Sequence, residues 1–311
     1  MVAISIINSL AMIFIMILPG YIFRKRSIIS VNQIGAVNSI VVNLTWPCLV
    51  IDAMQIKFSA DTLKDAGYIV IVCFIAFAVI AVLGIPIVKH LKLNKSKQYL
   101  VLFMFLQGNT GVIGIPVIKA LYGTNALFYA AIVEFANDIF LFTIGVLLIQ
   151  MSAGVSLKIR PLDLLSPGLV GVIIGIVLFI MDFKLPDVLG GSIEMIGNAT
   201  TPLTMFSIGF QLGNIRLKEF FKEWQVYAVL FVKLMIVPAI TVIILMILSE
   251  EIALLEKVII ILFAMPIASV ASIFSQQYKG EVEFATKSVL LSTVMSLVTV
   301  PIFAILLEIW I

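Results

Sequence analysis

The chain has 311 residues, of which 62% are hydrophobic and 12% charged, with a formal net charge of +3. A water-soluble domain cannot hide that much apolar surface, and the stretches between the apolar runs are too short to enclose a core of their own. This excludes a soluble enzyme and points to an all-α integral membrane protein, whose expected partners are the lipid bilayer and a small molecule and not nucleic acid.

Ten apolar runs predict helices near 4–23, 32–55, 66–88, 98–121, 125–150, 165–181, 188–213, 224–248, 256–276 and 284–309. No basic stretch precedes the first run and no small-residue cleavage site follows it. Arg24-Lys25-Arg26 comes after it, so the segment is expected to stay as a helix with its C-terminal end in the cytoplasm. The second run carries Asn43-Leu44-Thr45-Trp46-Pro47. The fourth contains Gln107-Gly108-Asn109-Thr110-Gly111-Val112-Ile113-Gly114-Ile115-Pro116. Glycine weakens a helix, and proline lacks an amide hydrogen and clashes with the preceding turn, so this run is expected to break at mid-membrane depth. The fifth places Glu134 and Asp138 four apart, on one face. Gly171 and Gly175 in the sixth have the spacing of a close helix contact. The seventh repeats the N-x-T-x-P pattern as Asn198-Ala199-Thr200-Thr201-Pro202, the eighth holds Lys233, and the ninth breaks at Met265-Pro266-Ile267-Ala268-Ser269. Cys48 and Cys73 both lie in apolar runs, which argues against a disulfide, and neither has metal-ligand spacing. No cofactor or metal is expected.

Pro47 and Pro202 are 155 residues apart, and Pro116 and Pro266 are 150 apart. Two matches at nearly one offset divide a single transporter domain, 1–311, into five-helix halves at about 1–150 and about 165–311. A short cytoplasmic linker, 151–164, joins them. Five is odd, so the second half enters the membrane from the opposite side, an inverted repeat of the kind many secondary transporters use. Fourteen Lys and Arg fall on one side: Arg24, Lys25, Arg26, the four lysines from Lys89 to Lys97, Lys158, Arg160, Arg216, Lys218, Lys222, Lys279 and Lys287. Five fall on the other: Lys57, Lys64, Lys119, Lys184 and Lys257. Cytoplasmic loops hold the excess, so both termini of this multi-pass cell-membrane protein are expected outside.

Breaks at matching positions in two halves are the best sequence pointer to a transport site. A half-helix restarting after a break aims unpaired amide hydrogens and partial positive charge into the cavity, which suits a carboxylate. The candidate substrate-binding residues are Asn109, Thr110, Gly111, Gly114, Pro116, Pro266, Ala268, Ser269, Asn43 and Asn198. No Arg lies near either break, so recognition is expected to rest on dipoles and amides rather than on a full positive charge. Glycines three apart, at Gly108, Gly111 and Gly114, equally suit close helix packing.

Asn109-Thr110 through Gly114-Ile115-Pro116, followed by Lys119-Ala120-Leu121-Tyr122-Gly123, resembles the fourth-helix motif of the auxin efflux carrier family. Ala60-Asp61-Thr62-Leu63 is similar to the family's segment before helix 3, and Met205-Phe206-Ser207-Ile208-Gly209, Lys233 to Pro238, Ala264-Met265-Pro266 to Tyr278 and Thr293 to Pro301 are similar to its later segments, in order. The resemblance implies ten helices in an inverted repeat with broken crossover helices 4 and 9, an elevator-like movement and a possible homodimer. It also implies a substrate at the crossover, with Asn109 contacting its carboxylate. Plant members carry auxin, and bacterial relatives are associated with malate or malonate. The short stretch 151–164 stands where plant exporters often have a long hydrophilic loop, and helix 9 lacks the second proline and the glutamine of plant members. The chain therefore looks like a bacterial carrier of small organic anions.

A charge inside the bilayer costs about 2.5–3.5 kcal/mol on insertion scales, so the intramembrane charges need a reason. Glu134, Asp138, Lys233 and Asp61 are the proton-coupling candidates, Glu134 first. The alternative is that Glu134 and Asp138 pair with Lys233 or Lys287 and hold the bundle together. Helix 9 has no Asp or Glu from Val258 to Gln277, which predicts sodium-independent transport, against the alternative of a coupled carrier with the fold of the bile-acid symporters. An intramembrane enzyme finds no support, because the sole histidine, His90, lies in a basic loop. A channel would need a charged ring or a carbonyl-lined filter, and the sequence has neither.

Overall fold

The computed structural model describes residues 2–157, 166–214 and 223–310. Among them the regular elements are α1 (Val2–Lys25), α2 (Val31–Ile40), α3 (Trp46–Ala53), α4 (Ala60–His90), α5 (Lys95–Leu106), α6 (Ile115–Tyr122), α7 (Leu127–Phe140) and α8 (Val146–Ala153). They continue with α9 (Pro167–Ile180), α10 (Asp187–Asn198), α11 (Thr200–Asn214), α12 (Trp224–Phe231), α13 (Val237–Leu248), α14 (Leu254–Phe263), α15 (Val270–Gln277) and α16 (Val282–Trp310). Gln33–Ala53, Ala60–His90, Thr124–Ala153, Trp224–Leu248 and Val282–Ile309 are long and apolar enough to cross a bilayer, and Thr110–Tyr122 and Pro167–Ile180 are shorter apolar helices. Of the expected linker, 158–164 lies outside the described residues, as do Lys158, Arg160, Arg216, Lys218 and Lys222.

Several runs that read as continuous helices are interrupted, and most of the π-helical interruptions share a cause. π-helical turns occupy Val41–Thr45, Thr110–Gly114, Leu141–Gly145 and Val232–Ile236. Three of these end two residues before a proline: Pro47, Pro116 and Pro238. A proline ring crowds the carbonyl four residues back and offers it no hydrogen. A wider turn relieves that crowding, as where Trp46 N–H bonds the carbonyl of Val41. The remaining π turn holds Thr143, whose hydroxyl bonds back to the carbonyl of Ile139 at 2.6 Å. The seventh run breaks at Ala199, inside the second N-x-T-x-P copy.

The chain forms two units. The first comprises Met1–Ile69, Gly111–Phe135 and Leu165–Ile215; the second comprises Val70–Thr110, Ala136–Leu164 and Arg216–Ile311.

Glycines set the packing of the first unit. A Cβ on Gly20 of α1 would lie 1.9 Å from the carbonyl oxygen of Phe206, and one on Gly209 of α11 would lie 1.9 Å from that of Ile17. The two backbones therefore touch, each through the other's glycine. Along α9, Gly168 meets the Trp46 ring, Gly171 meets Pro47 and Gly175 meets Met54. The close-packing role expected of Gly171 and Gly175 holds, and the partner is α3.

The second unit is built around α14, whose residues Val258, Ile259, Ile260, Ile261 and Leu262 are wholly buried. The Phe77 ring lies 4.4 Å from that of Phe140 and 5.3 Å from that of Phe263. Ion pairs tie its helix ends, with Lys287 bonding Glu223 at 3.0 Å and Glu283 at 2.7 Å, and Lys257 bonding Glu308 at 2.9 Å.

Candidate functional site

Within the second unit, α5 stops at Leu106 and the chain becomes extended at Gln107, while α14 stops at Phe263. The two peptides that follow run antiparallel and pair across Gly108 and Ile267. Asn109 N–H donates to the carbonyl of Pro266 at 2.8 Å, and Ala268 N–H donates to that of Gln107 at 3.1 Å. Backbone groups freed by the two breaks thus answer one another, which is what lets irregular chain persist at membrane depth. Ile267 N–H, directly opposite Gly108, donates to Ser292 Oγ of α16 at 3.1 Å. Lys233 Nζ donates to the carbonyl of Phe105 at 3.3 Å, so a lysine nitrogen caps the C-terminal end of α5.

Side chains alternate sides along paired strands. Gln107 and Asn109 therefore share one face of the crossing with Pro266 and Ala268, while Gly108 and Ile267 share the other. On the first face, Asn109 Nδ2 donates to Ser269 Oγ at 3.0 Å. Gln107 is 0% exposed, and neither its Nε2 nor its Oε1 has a hydrogen-bond partner. On the second face, a Cβ at Gly108 would lie 3.4 Å from Lys233 Nζ. The lysine nitrogen, itself buried, thus lies close to the crossing peptide.

Folding also brings Lys233 to the break from 125 residues away in sequence, beside the dipoles and amides expected there. A correction concerns the restarting half-helix. The amides of Ile267, Ala268, Ala271, Ser272 and Ile273 already have partners, which narrows what that restart offers an anion.

The other candidates are placed as follows. Thr110, Gly114 and Pro116 are buried along the restarted half of the fourth run. In the first unit, Gly111 faces a carboxylate: its Cβ would lie 2.5 Å from Glu134 Oε1 and 3.2 Å from Trp46 Cζ2. Asn43 is exposed and turns its amide back to the carbonyl of Ser39 at 2.8 Å, and Asn198, also exposed, accepts from Lys119 Nζ. The threonines of the same two motifs, Thr45 and Thr200, are buried, and their hydroxyls have no partner. Glu134 and Asp138 are buried on α7. Of the lysines named as possible partners, Lys287 bonds Glu223 and Glu283, and Lys233 bonds the carbonyl of Phe105. Asp61 is solvated and pairs with Lys64 at 3.1 Å. Among the described residues no group of three His, Cys, Asp or Glu side chains could hold a metal ion.

Sequence reasoning passed over Gln107 and Ser292. Gln107 had a signal, an amide closing an apolar half-helix. So did Ser292, one of three serines four apart in the tenth run (Ser288, Ser292 and Ser296).

Comparison with known proteins points to a family of membrane transporters. Residues 5–304 match the family described as membrane transport protein. An uncharacterized transporter of Methanothermobacter thermautotrophicus is 22% identical over 296 residues, covering 95% of this chain and 96% of the relative. An uncharacterized transporter of Methanocaldococcus jannaschii is 25% identical over 299 residues, covering 94% and 95%. With apolar helices long enough to cross a bilayer and a family match over nearly its whole length, the chain belongs to the membrane transport protein family, the auxin efflux carrier-like transporters.

Proposed function

We propose that the chain is a secondary carrier of small organic carboxylates in the cell membrane, working by elevator-type alternating access. In this reading ten spans form two inverted five-helix halves, and both termini lie outside. The observation that carries it is the crossing at Gly108 and Ile267, with Asn109 and Ser269 on one face and the Lys233 ammonium behind the other. Each half contributes one of the crossing peptides. A buried cation backing neutral donors favours an anion, and the donors are weak enough individually to release it. The lack of an acidic residue from Val258 to Gln277 supports sodium-independent transport. Glu134, buried against Gly111, is the first candidate for proton coupling, whereas Asp61 offers only a solvated pair.

The test is uptake of labelled malate, malonate and indole-3-acetate into proteoliposomes, with wild type beside Asn109→Ala. The expected result is saturable uptake of at least one anion, reduced about tenfold or more in the variant, the loss of one charge-assisted hydrogen bond. Equal uptake by both proteins would move the site away from the crossing. Conductance that never saturates would mark a channel instead.

A further inference from the structure

We propose that Gln107 is a specificity-determining residue of this crossing, whose carboxamide takes a hydroxyl adjacent to the substrate carboxylate, so that the carrier selects 2-hydroxycarboxylates over their unsubstituted counterparts. The inference rests on the carboxylate reading above and deepens it.

Gln107 sits where a polar side chain is hardest to accommodate. It is fully buried in an apolar unit, and both polar atoms of its amide are without partners. Its main chain is already used: its N–H donates to the carbonyl of Phe103 at 2.8 Å, and its own carbonyl accepts from Ala268. The side chain is therefore held to the same face as Asn109 by the alternation of the paired peptides. The neighbours on that face do not complete it. Pro266 and Ala268 have no hydrogen-bonding side chain, and Asn109 directs an amide hydrogen to Ser269 Oγ while neither polar atom of Gln107 has a partner. A sealed, unpaired amide weakens the ligand-free fold, and such violations concentrate at functional positions.

The chemistry of the missing partner follows from what an amide needs. Gln107 presents a donor, Nε2–H, and an acceptor, Oε1, side by side. A bare carboxylate accepts from Nε2 and leaves Oε1 unpaired, because it has no hydrogen to give. A carboxylate with a neighbouring hydroxyl satisfies both, its oxygen accepting from Nε2 while the hydroxyl donates to Oε1. A site built to bond a substrate hydroxyl rejects an analogue without one far more strongly than an apolar pocket can, since the analogue leaves a buried group unpaired.

The experiment measures affinity of the purified full chain for malate and for succinate, which differ by that hydroxyl, together with the thermal midpoint of the ligand-free protein. Wild type is compared with Gln107→Met, which keeps the side-chain length and removes both polar atoms. The expected results are at least tenfold tighter binding of malate by wild type, loss of that preference in the variant, and a ligand-free midpoint in the variant equal to or above that of wild type. A wild type that binds both acids equally overturns the hydroxyl inference and leaves the carboxylate reading standing, whether or not the variant folds. A variant that keeps the preference, or has a lower ligand-free midpoint, also overturns it, because the amide is then a structural group satisfied by an ordered water. A wild type that binds neither acid overturns both readings.

Discussion

Replacing Ser292 by alanine removes one oxygen and tests whether the crossing is held as described. Ser292 Oγ accepts from Ile267 N–H at 3.1 Å, and both residues are fully buried. Ile267 lies between Pro266, whose carbonyl accepts from Asn109, and Ala268, whose N–H donates to Gln107. Its amide cannot turn to another acceptor without disturbing one of those bonds. Leaving a buried donor unpaired costs about 1–3 kcal/mol, whereas hydrogen bonds between membrane helices average about 0.6 kcal/mol where the chain can find substitutes. Because substitution is blocked here, we expect Ser292→Ala to lose about 2 kcal/mol, the middle of the range for an orphaned group. The same helix supplies a control one turn away. Ser288 is equally buried, but its hydroxyl has no partner, so Ser288→Ala should be neutral or stabilising. Reversible unfolding in mixed micelles measures both, and hydrogen exchange at Ile267 should quicken about thirtyfold in Ser292→Ala alone. Two variants of equal stability, with Ile267 equally protected in each, would refute the argument that this hydroxyl anchors the crossing.

Two other changes probe the rest of the chain. Gly209→Ala places a methyl group 1.9 Å from the carbonyl oxygen of Ile17, a backbone atom that cannot swing aside. It should cost about 3 kcal/mol or more by overpacking, whereas Gly35→Ala, with nothing within 4 Å, should gain about 0.5–1 kcal/mol of helix stability; the same unfolding assay compares them. Glu134→Gln should abolish the stimulation of uptake by an imposed proton gradient if that carboxylate carries the proton, and an unchanged pH profile would leave it a structural group.

Much of this was legible in the amino-acid order because membrane helices announce themselves by apolar runs, and breaks by glycine and proline. Pro116 and Pro266 marked both interrupted helices, and Gly171 with Gly175 marked a packing face. What stayed hidden depends on side chains meeting across the fold. Lys233 reads as an isolated charge in the eighth run, and only folding brings it to Phe105 and Gly108. The N-x-T-x-P copies drew attention to Asn43 and Asn198, yet the buried members are the threonines. An exposed asparagine that bonds its own helix and a buried threonine with no partner look alike in a local pattern. The π turns were also missed, since a proline predicts crowding but not whether the helix bends, breaks or widens to accept it.

The crossing has a consequence for how such a protein changes over time. Its two bridging hydrogen bonds use only main-chain atoms, from Asn109 to Pro266 and from Ala268 to Gln107. The geometry therefore demands little of the side chains at 107, 109 and 268. On the proposed reading, selection can rewrite the recognition face residue by residue without dismantling the frame that displays it. A lineage built on this frame would then acquire new cargo through single substitutions, each arising in a protein whose crossing is still held by its main chain.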